Sequence, residues 1–164
     1  MNLAQENVIC LDEHQLAQIC TSRKWIRSMQ LEAPFHCFSD FSSSADKAFS
    51  QLQEDDWLEA FAGHPMIGDI TTLKAKYSQG KALSESEQSQ VSEASDDLLK
   101  QLLSINHDYL KKYGFIFIVC ATGKSAQEML NILTERYQNS RSTELVNASV
   151  EQRKISQIRM EAYK

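Results

Sequence analysis

Residues 84–114, SESEQSQVSEASDDLLKQLLSINHDYLKKYG, decide the fold. Val91, Leu98, Leu102, Ile105 and Tyr109 recur at helical spacing, and Leu99, Leu103 and Leu110 widen the stripe. This pattern predicts an amphipathic helix with one broad face toward a core. Glu85, Glu87 and Glu93 crowd its early part, and Lys111 and Lys112 close it before Gly114. Each sign of charge stands where the helix dipole favours it. Ser84 with Glu87 three residues on has the form of a capping box. The Ser92–Ser95 run is where the helix could break in two.

The rest of the chain repeats this habit. All five glycines fall between positions 63 and 123 and both prolines come by position 65, so long stretches are free to be helical. Asp12 is placed to cap a helix carrying Leu16, Ile19 and Cys20. Trp25, Ile26 and Met29 form a second stripe that ends at Pro34. Ser42 to Gln53 forms a third, with Ala45, Ala48, Phe49 and Leu52, and the serines at 42–44 read as a loop leading into it. Asp56-Trp57-Leu58-Glu59 has the form of a capping box for the next helix. Thr71 to Tyr77 suits a short helix stopped at Gly80. Ser125 to Glu128 caps a helix that runs through Met129, Leu130, Ile132, Leu133 and Tyr137. A final helix starts near Thr143, with Ile155, Ile158 and Ala162 on its core face and Arg159 at the edge. Phe115 to Ala121 has strand-like composition but no second run to pair with, which leaves a buried extended segment or a core helix. The expectation is an all-α protein, one domain over residues 1–164, folded as a compact bundle of roughly seven to nine helices.

Composition narrows the function. The chain has 164 residues, 42% hydrophobic and 24% charged, with net charge −5, and needs neither metal nor disulfide to build a core. An acidic surface without a dense basic patch argues against nucleic acid or a membrane surface as partner. Cys10, Cys20, Cys37 and Cys120 show no C-x-x-C spacing and read as reduced, buried thiols. Met1 to Asn7 is polar, with no basic residue before an apolar run. The longest apolar run, Phe115 to Ala121, is too short to span a bilayer, and the last residues are not a peroxisomal address. The cytoplasm is the expected compartment.

Four polar features could carry chemistry. Gly63-His64-Pro65-Met66-Ile67-Gly68-Asp69 is a loop fixed by proline, because the residue before a proline is pushed out of helical geometry. The helix from Asp56 must therefore stop at Ala62, with Gly63 free to take a left-handed cap. His64 either satisfies that helix end or presents an imidazole for catalysis. Ser84 to Gln88 is either a capping box or, since helix N-termini also offer free amide donors, an anion site. Arg159 is either a solvated helix-edge residue or a guanidinium for a substrate carboxylate. His107, beside Asn106, Asp108 and Tyr109, reads as structural. No metal-ligand spacing, dinucleotide fingerprint, P-loop or nucleophile elbow is present. An enzyme built on this chain would work with acid–base groups alone.

These residues fall into an ordered set. Cys20-Thr21-Ser22 with Trp25 and Met29 resembles a "C-x-S-x-x-W…M" segment. Trp57 to Pro65 resembles "W-x-x-A-x-x-x-H-P", and Ser84-x-x-Glu87-Gln88 follows at the expected distance. Asn106 to Ile118 resembles "N-x-x-Y-x-x-K-F-G-F-P-F-I". Lys154-Ile155 through Arg159-Met160 resembles "K-I…L-R-L". Nearly end to end, the chain resembles the 2-oxo-4-hydroxy-4-carboxy-5-ureidoimidazoline (OHCU) decarboxylases, which complete the conversion of urate to (S)-allantoin. It departs at Ile116, where the family has proline, and at Tyr113, where it has phenylalanine. Losing the proline restores a backbone donor and frees φ.

The resemblance implies an all-helical fold, commonly homodimeric, with no cofactor and a small anionic ureidoimidazoline as substrate. It makes His64 the catalytic residue, with Glu87 and Arg159 completing the polar site. Pro65, Ser84, Gln88 and the backbone of Phe117, Ile118, Val119, Cys120 and Ala121 would hold the ureido and ring amides. His64, steadied by Glu87, would handle the hydroxyl proton, and Arg159 would neutralise the departing carboxylate. The competing expectations are a helical interaction module with an exposed apolar groove, and hydrolysis of the related 5-hydroxyisourate.

Overall fold

The computed structural model describes residues 8–66, 71, 73, 74 and 85–164, with the backbone alone from 85 to 95. Among these residues the protein is all-α: seven helices, a closing 3₁₀ turn, and a single antiparallel bridge between Ile9 and Phe35. Packing divides the chain into two units. One comprises Met1–His64, Ile118–Cys120 and Leu145–Lys164, and the other Pro65–Phe117 and Ala121–Glu144.

The first unit begins with α1 (Glu13–Ile19), whose Asp12 carboxylate and Gln15 side chain close a capping box. α2 (Arg23–Glu32) follows from the Ser22 cap. α3 (Phe38–Ser50) starts earlier than the serines at 42–44 suggest, because Cys37 Sγ caps it by accepting the Asp40 amide at 3.4 Å. Those serines therefore lie inside a helix, carried by the buried Phe41, Ala45, Ala48 and Phe49 on its other side. α4 (Glu54–Ala62) also starts early: Gln53 is the cap and Asp56 is the third residue of the box, not its first.

Trp25 is fully buried, stacks on Phe49 at 5.2 Å and donates its indole N–H to the Ala45 carbonyl. Phe49 stacks in turn on Trp57 at 5.7 Å. The buried Trp25 and Phe49 each contribute about 1.5–3 kcal/mol through burial, and with the half-buried Trp57 this aromatic row holds α2, α3 and α4 together. The cysteines divide: Cys20 and Cys120 are buried and Cys10 and Cys37 exposed, so burial of all four is not found. Cys10 and Cys37 flank the Ile9–Phe35 bridge and the start of α3, near the chain's surface.

The second unit is built on α5 (Glu85–Tyr113), unbroken through Ser92–Ser95, and α6 (Ala126–Arg136), opened by a Ser125–Glu128 capping box. Gly114 ends α5 at φ +81, a left-handed position suited to glycine. The Tyr113 hydroxyl lies 2.7–3.0 Å from the carbonyls of Arg136, Tyr137 and Asn139. The hydroxyl that sets Tyr113 apart from phenylalanine thus sits among the carbonyls at and just beyond the end of α6. α7 (Arg141–Met160) opens in this unit, where the buried Glu144 accepts bonds from Tyr109 at 2.6 Å, Arg136 at 2.7 Å and Asn139 at 3.0 Å. The helix expected at Thr71–Tyr77 lies largely outside the described residues. Residues 115–121 contain no helix, and Phe115, Ile118 and Cys120 are buried, which rules out the core-helix reading.

From Leu145 onward α7 belongs to the first unit, and its buried face differs from the expected one. Ala148, Gln152, Ser156 and Met160 are all 0% exposed, whereas Ile158 is 43% exposed and Ala162 lies outward in the 3₁₀ turn (Glu161–Tyr163). The core face follows the strict four-residue row through a glutamine and a serine, and leaves the isoleucines to its side.

Candidate active site

The backbone holds His64 at the end of α4. The amides of Gly63 and His64 continue the last turn to the carbonyls of Ala60 and Phe61. Gly63 is right-handed (φ −74, ψ −13), so the expected left-handed cap is not formed. Glycine is needed there for space: a β-carbon would lie 2.1 Å from Thr21 Oγ1. Thr21 in turn donates to the Glu59 carbonyl at 3.0 Å, which seats the end of α4 on the α1–α2 turn. Glu59 accepts bonds from the Arg23 amide and guanidinium, which hold its carboxyl below the usual range.

The half-buried His64 ring meets α7. Its Nε2 lies 2.5 Å from Gln152 Oε1, Gln152 Nε2 donates to Ser156 Oγ at 3.0 Å, and Ser156 Oγ donates to the Ile19 carbonyl at 2.9 Å. Arg159 Nη1 donates to the carbonyls of Gln18 and Ile19 at 3.2 and 3.3 Å. The carbonyls that α1 leaves unpaired at its end are thereby satisfied by two side chains of α7. Burial pushes the His64 pKa below its ordinary value; the Gln152 bond opposes this and the Arg159 charge adds to it. Burial also pushes the Cys20 thiol up to about 12, which keeps it protonated.

Of the residues predicted for the site, His64 and Arg159 stand in one unit and share a hydrogen-bond network through Ile19. Pro65 is exposed. Ser84 lies outside the described residues, as do the side chains of Glu87 and Gln88, whose backbone is part of α5. Phe117, Val119 and Ala121 are half-buried, and Ile118 and Cys120 are buried. Phe117 belongs to the second unit, where the Arg136 guanidinium lies 4.6 Å from its ring centre. His107 is exposed on α5. Gln152 and Ser156 were missed. Their one signal is a glutamine and a serine one turn apart, in register with Ala148 and Met160, because a polar side chain on a buried row must find a partner.

A neutral imidazole beside a fixed guanidinium offers a base and a positive charge to an anion with an acidic proton. Among the described residues, no three His, Cys, Asp or Glu side chains gather as a metal-binding group. Fold and site define an all-helical protein whose candidate centre is of the acid–base type. The family model described as OHCU decarboxylase matches residues 12–161, and the chain belongs to that family.

The uric acid degradation bifunctional protein TTL of Arabidopsis thaliana is 38% identical over 151 residues, which cover 92% of this chain and 46% of that protein. The uric acid degradation bifunctional protein PucL of Bacillus subtilis (strain 168) is 27% identical over 150 residues, covering 88% and 28%. The chain thus spans less than half the length of these curated relatives. A crystal structure of OHCU decarboxylase in the presence of (S)-allantoin superposes with a TM-score of 0.73 at 31% identity, covering 93% of this chain and 97% of that one. A structure of (S)-allantoin synthase, at 17% identity and a TM-score of 0.63, covers 92% and 49% and shares the fold.

Proposed function

We propose that the chain decarboxylates OHCU to (S)-allantoin as a cofactor-independent carboxy-lyase, with His64, Glu87 and Arg159 as its polar centre. Family membership supports the reaction. The observation that carries the site is His64 fixed to the buried Gln152, in one network with Arg159. The substrate's carboxylate sits on a ring carbon that also bears a hydroxyl and adjoins a C=N bond. When the bond to CO2 breaks, its electron pair forms a bond to the C=N carbon and the C=N pair moves to nitrogen, which takes a proton from solvent, so the substrate is its own electron sink. His64 takes the hydroxyl proton, and Arg159 holds the carboxylate until it leaves. A proton delivered to one face of the neighbouring carbon then sets the S centre. Ser84, Gln88, Pro65 and the 117–121 backbone bind the ureido and ring amides. A homodimer in the cytoplasm belongs to the same proposal.

The test is the optical rotation of allantoin formed with and without the protein, followed together with CO2 release. Faster release and an S-enriched product are expected, and His64→Ala should lower kcat by about 10²–10⁴-fold, the usual worth of a positioned acid–base group. Racemic product at an unchanged rate would overturn the assignment.

A further inference from the structure

The bonds around His64 have a direction, set at their far end. The Ile19 carbonyl can only accept, so the Ser156 hydroxyl spends its one proton there. Ser156 Oγ must then accept from its other neighbour, which turns the Gln152 NH2 toward it and the Gln152 carbonyl oxygen toward His64. Gln152 and Ser156 are both fully buried, so no water competes for either group. The reversed amide would set a carbonyl oxygen against a serine oxygen with no proton left to share, and a buried unpaired group is costly. Since Oε1 has no proton, His64 Nε2 must carry one.

We infer that Gln152, anchored through Ser156 to the Ile19 carbonyl, is a positioning residue that fixes His64 as the Nε2–H tautomer, so that Nδ1 is the nitrogen that exchanges protons with substrate. The relay works through orientation alone. Gln152 never gains or loses a proton, and its amide cannot turn without breaking its bonds to both His64 and Ser156. The part played by Nδ1 rests on the proposed role of His64; the tautomer and the anchoring by Gln152 do not.

The two layers separate experimentally. In ¹⁵N-labelled protein, long-range ¹H–¹⁵N correlation should give His64 a pyrrole-type Nε2, with its proton visible and protected from exchange, and a pyridine-type Nδ1. Gln152→Met preserves length and removes the acceptor. It should abolish the protected proton, move both nitrogens toward the averaged shifts of an unrestrained imidazole, and lower kcat about tenfold or more with KM little changed. Such a loss is the scale expected for a mispositioned catalytic group. Thermal melts identify any variant that fails to fold, and Ser156→Ala, which frees the amide to turn, then serves in its place and should lose the protected proton likewise. A pyridine-type Nε2 in the wild type, or a protected proton that survives in Gln152→Met, would overturn the relay whatever the activity. Full activity in His64→Ala would instead remove the catalytic role of Nδ1 and leave the tautomer assignment standing.

Discussion

Gly63 lies against Thr21 so closely that a β-carbon at 63 would sit 2.1 Å from the threonine hydroxyl and 2.8 Å from its Cβ. Since Gly63 has ordinary right-handed dihedrals, any residue could adopt them, and only space excludes a side chain. Gly63→Ala must push the end of α4 off the α1–α2 turn, at a cost of about 1–3 kcal/mol as for other overpacked sites. His64 is the next residue, so the same shift weakens its bond to Gln152. Denaturant unfolding and steady-state kinetics should show both losses together. Unchanged stability would mean that Thr21 yields at no cost.

The burial that lowers the His64 pKa also sets how stability depends on pH. Below the ordinary value of 6.5 the unfolded chain protonates this histidine while the folded chain still holds it neutral. Unfolding then takes up a proton, and stability falls as pH drops. The contribution is complete above 6.5 and is lost progressively down to the depressed folded value. Urea titrations across this window should give a steeper loss for the wild type than for His64→Ala. Equal slopes would show that His64 titrates as freely in the fold as outside it.

Much of the fold is legible in the sequence because its signals are local. Asp12 with Gln15, Ser22 before Trp25, and Ser125 with Glu128 each act across three residues, and the stripes they introduce share one period. The site is legible only in part. His64 stands out through Pro65, but its partner Gln152 lies 88 residues away, a pairing that no local pattern reports. The helix bearing Gln152 also misleads. Ile155 and Ile158 look like its core row, yet the face that is buried carries Gln152 and Ser156, whose polar groups are satisfied by a ring and a carbonyl from elsewhere in the chain.

In the second unit the stabilising group most at risk is Glu144, fully buried against a nearly buried Arg136. Its carboxylate accepts from Tyr109, Arg136 and Asn139 at once. Glu144→Gln leaves the guanidinium without its counter-charge and should cost about 3 kcal/mol, the lower end for a broken buried pair. Tyr109→Phe removes the hydroxyl's bonds to Glu144 and Arg136 but no charge, and should cost about 1.5–2 kcal/mol, the lower range for hydrogen bonds to charged groups. That order, read from denaturant midpoints, separates charge from hydrogen bonding. A larger loss in Tyr109→Phe would mean that the hydroxyl, not the ion pair, holds α5 to the start of α7.

Arg159 tests how the two halves of the proposed centre communicate. Its charge lowers the His64 pKa, and its guanidinium is tied to the carbonyls of Gln18 and Ile19. Arg159→Gln removes that charge, so the His64 pKa must rise. If neutral His64 is the active form, activity is lost as pH falls through that pKa, and the acid limb of the rate profile should move to higher pH in the variant. Because Arg159 is exposed, salt screens its effect, and the wild-type limb should move the same way as ionic strength rises. Arg159→Lys keeps the charge but loses the fork. It should leave the limb nearly in place while weakening substrate binding. A limb that stays fixed in Arg159→Gln would break the electrostatic link between the two residues, and with it the case for a single centre.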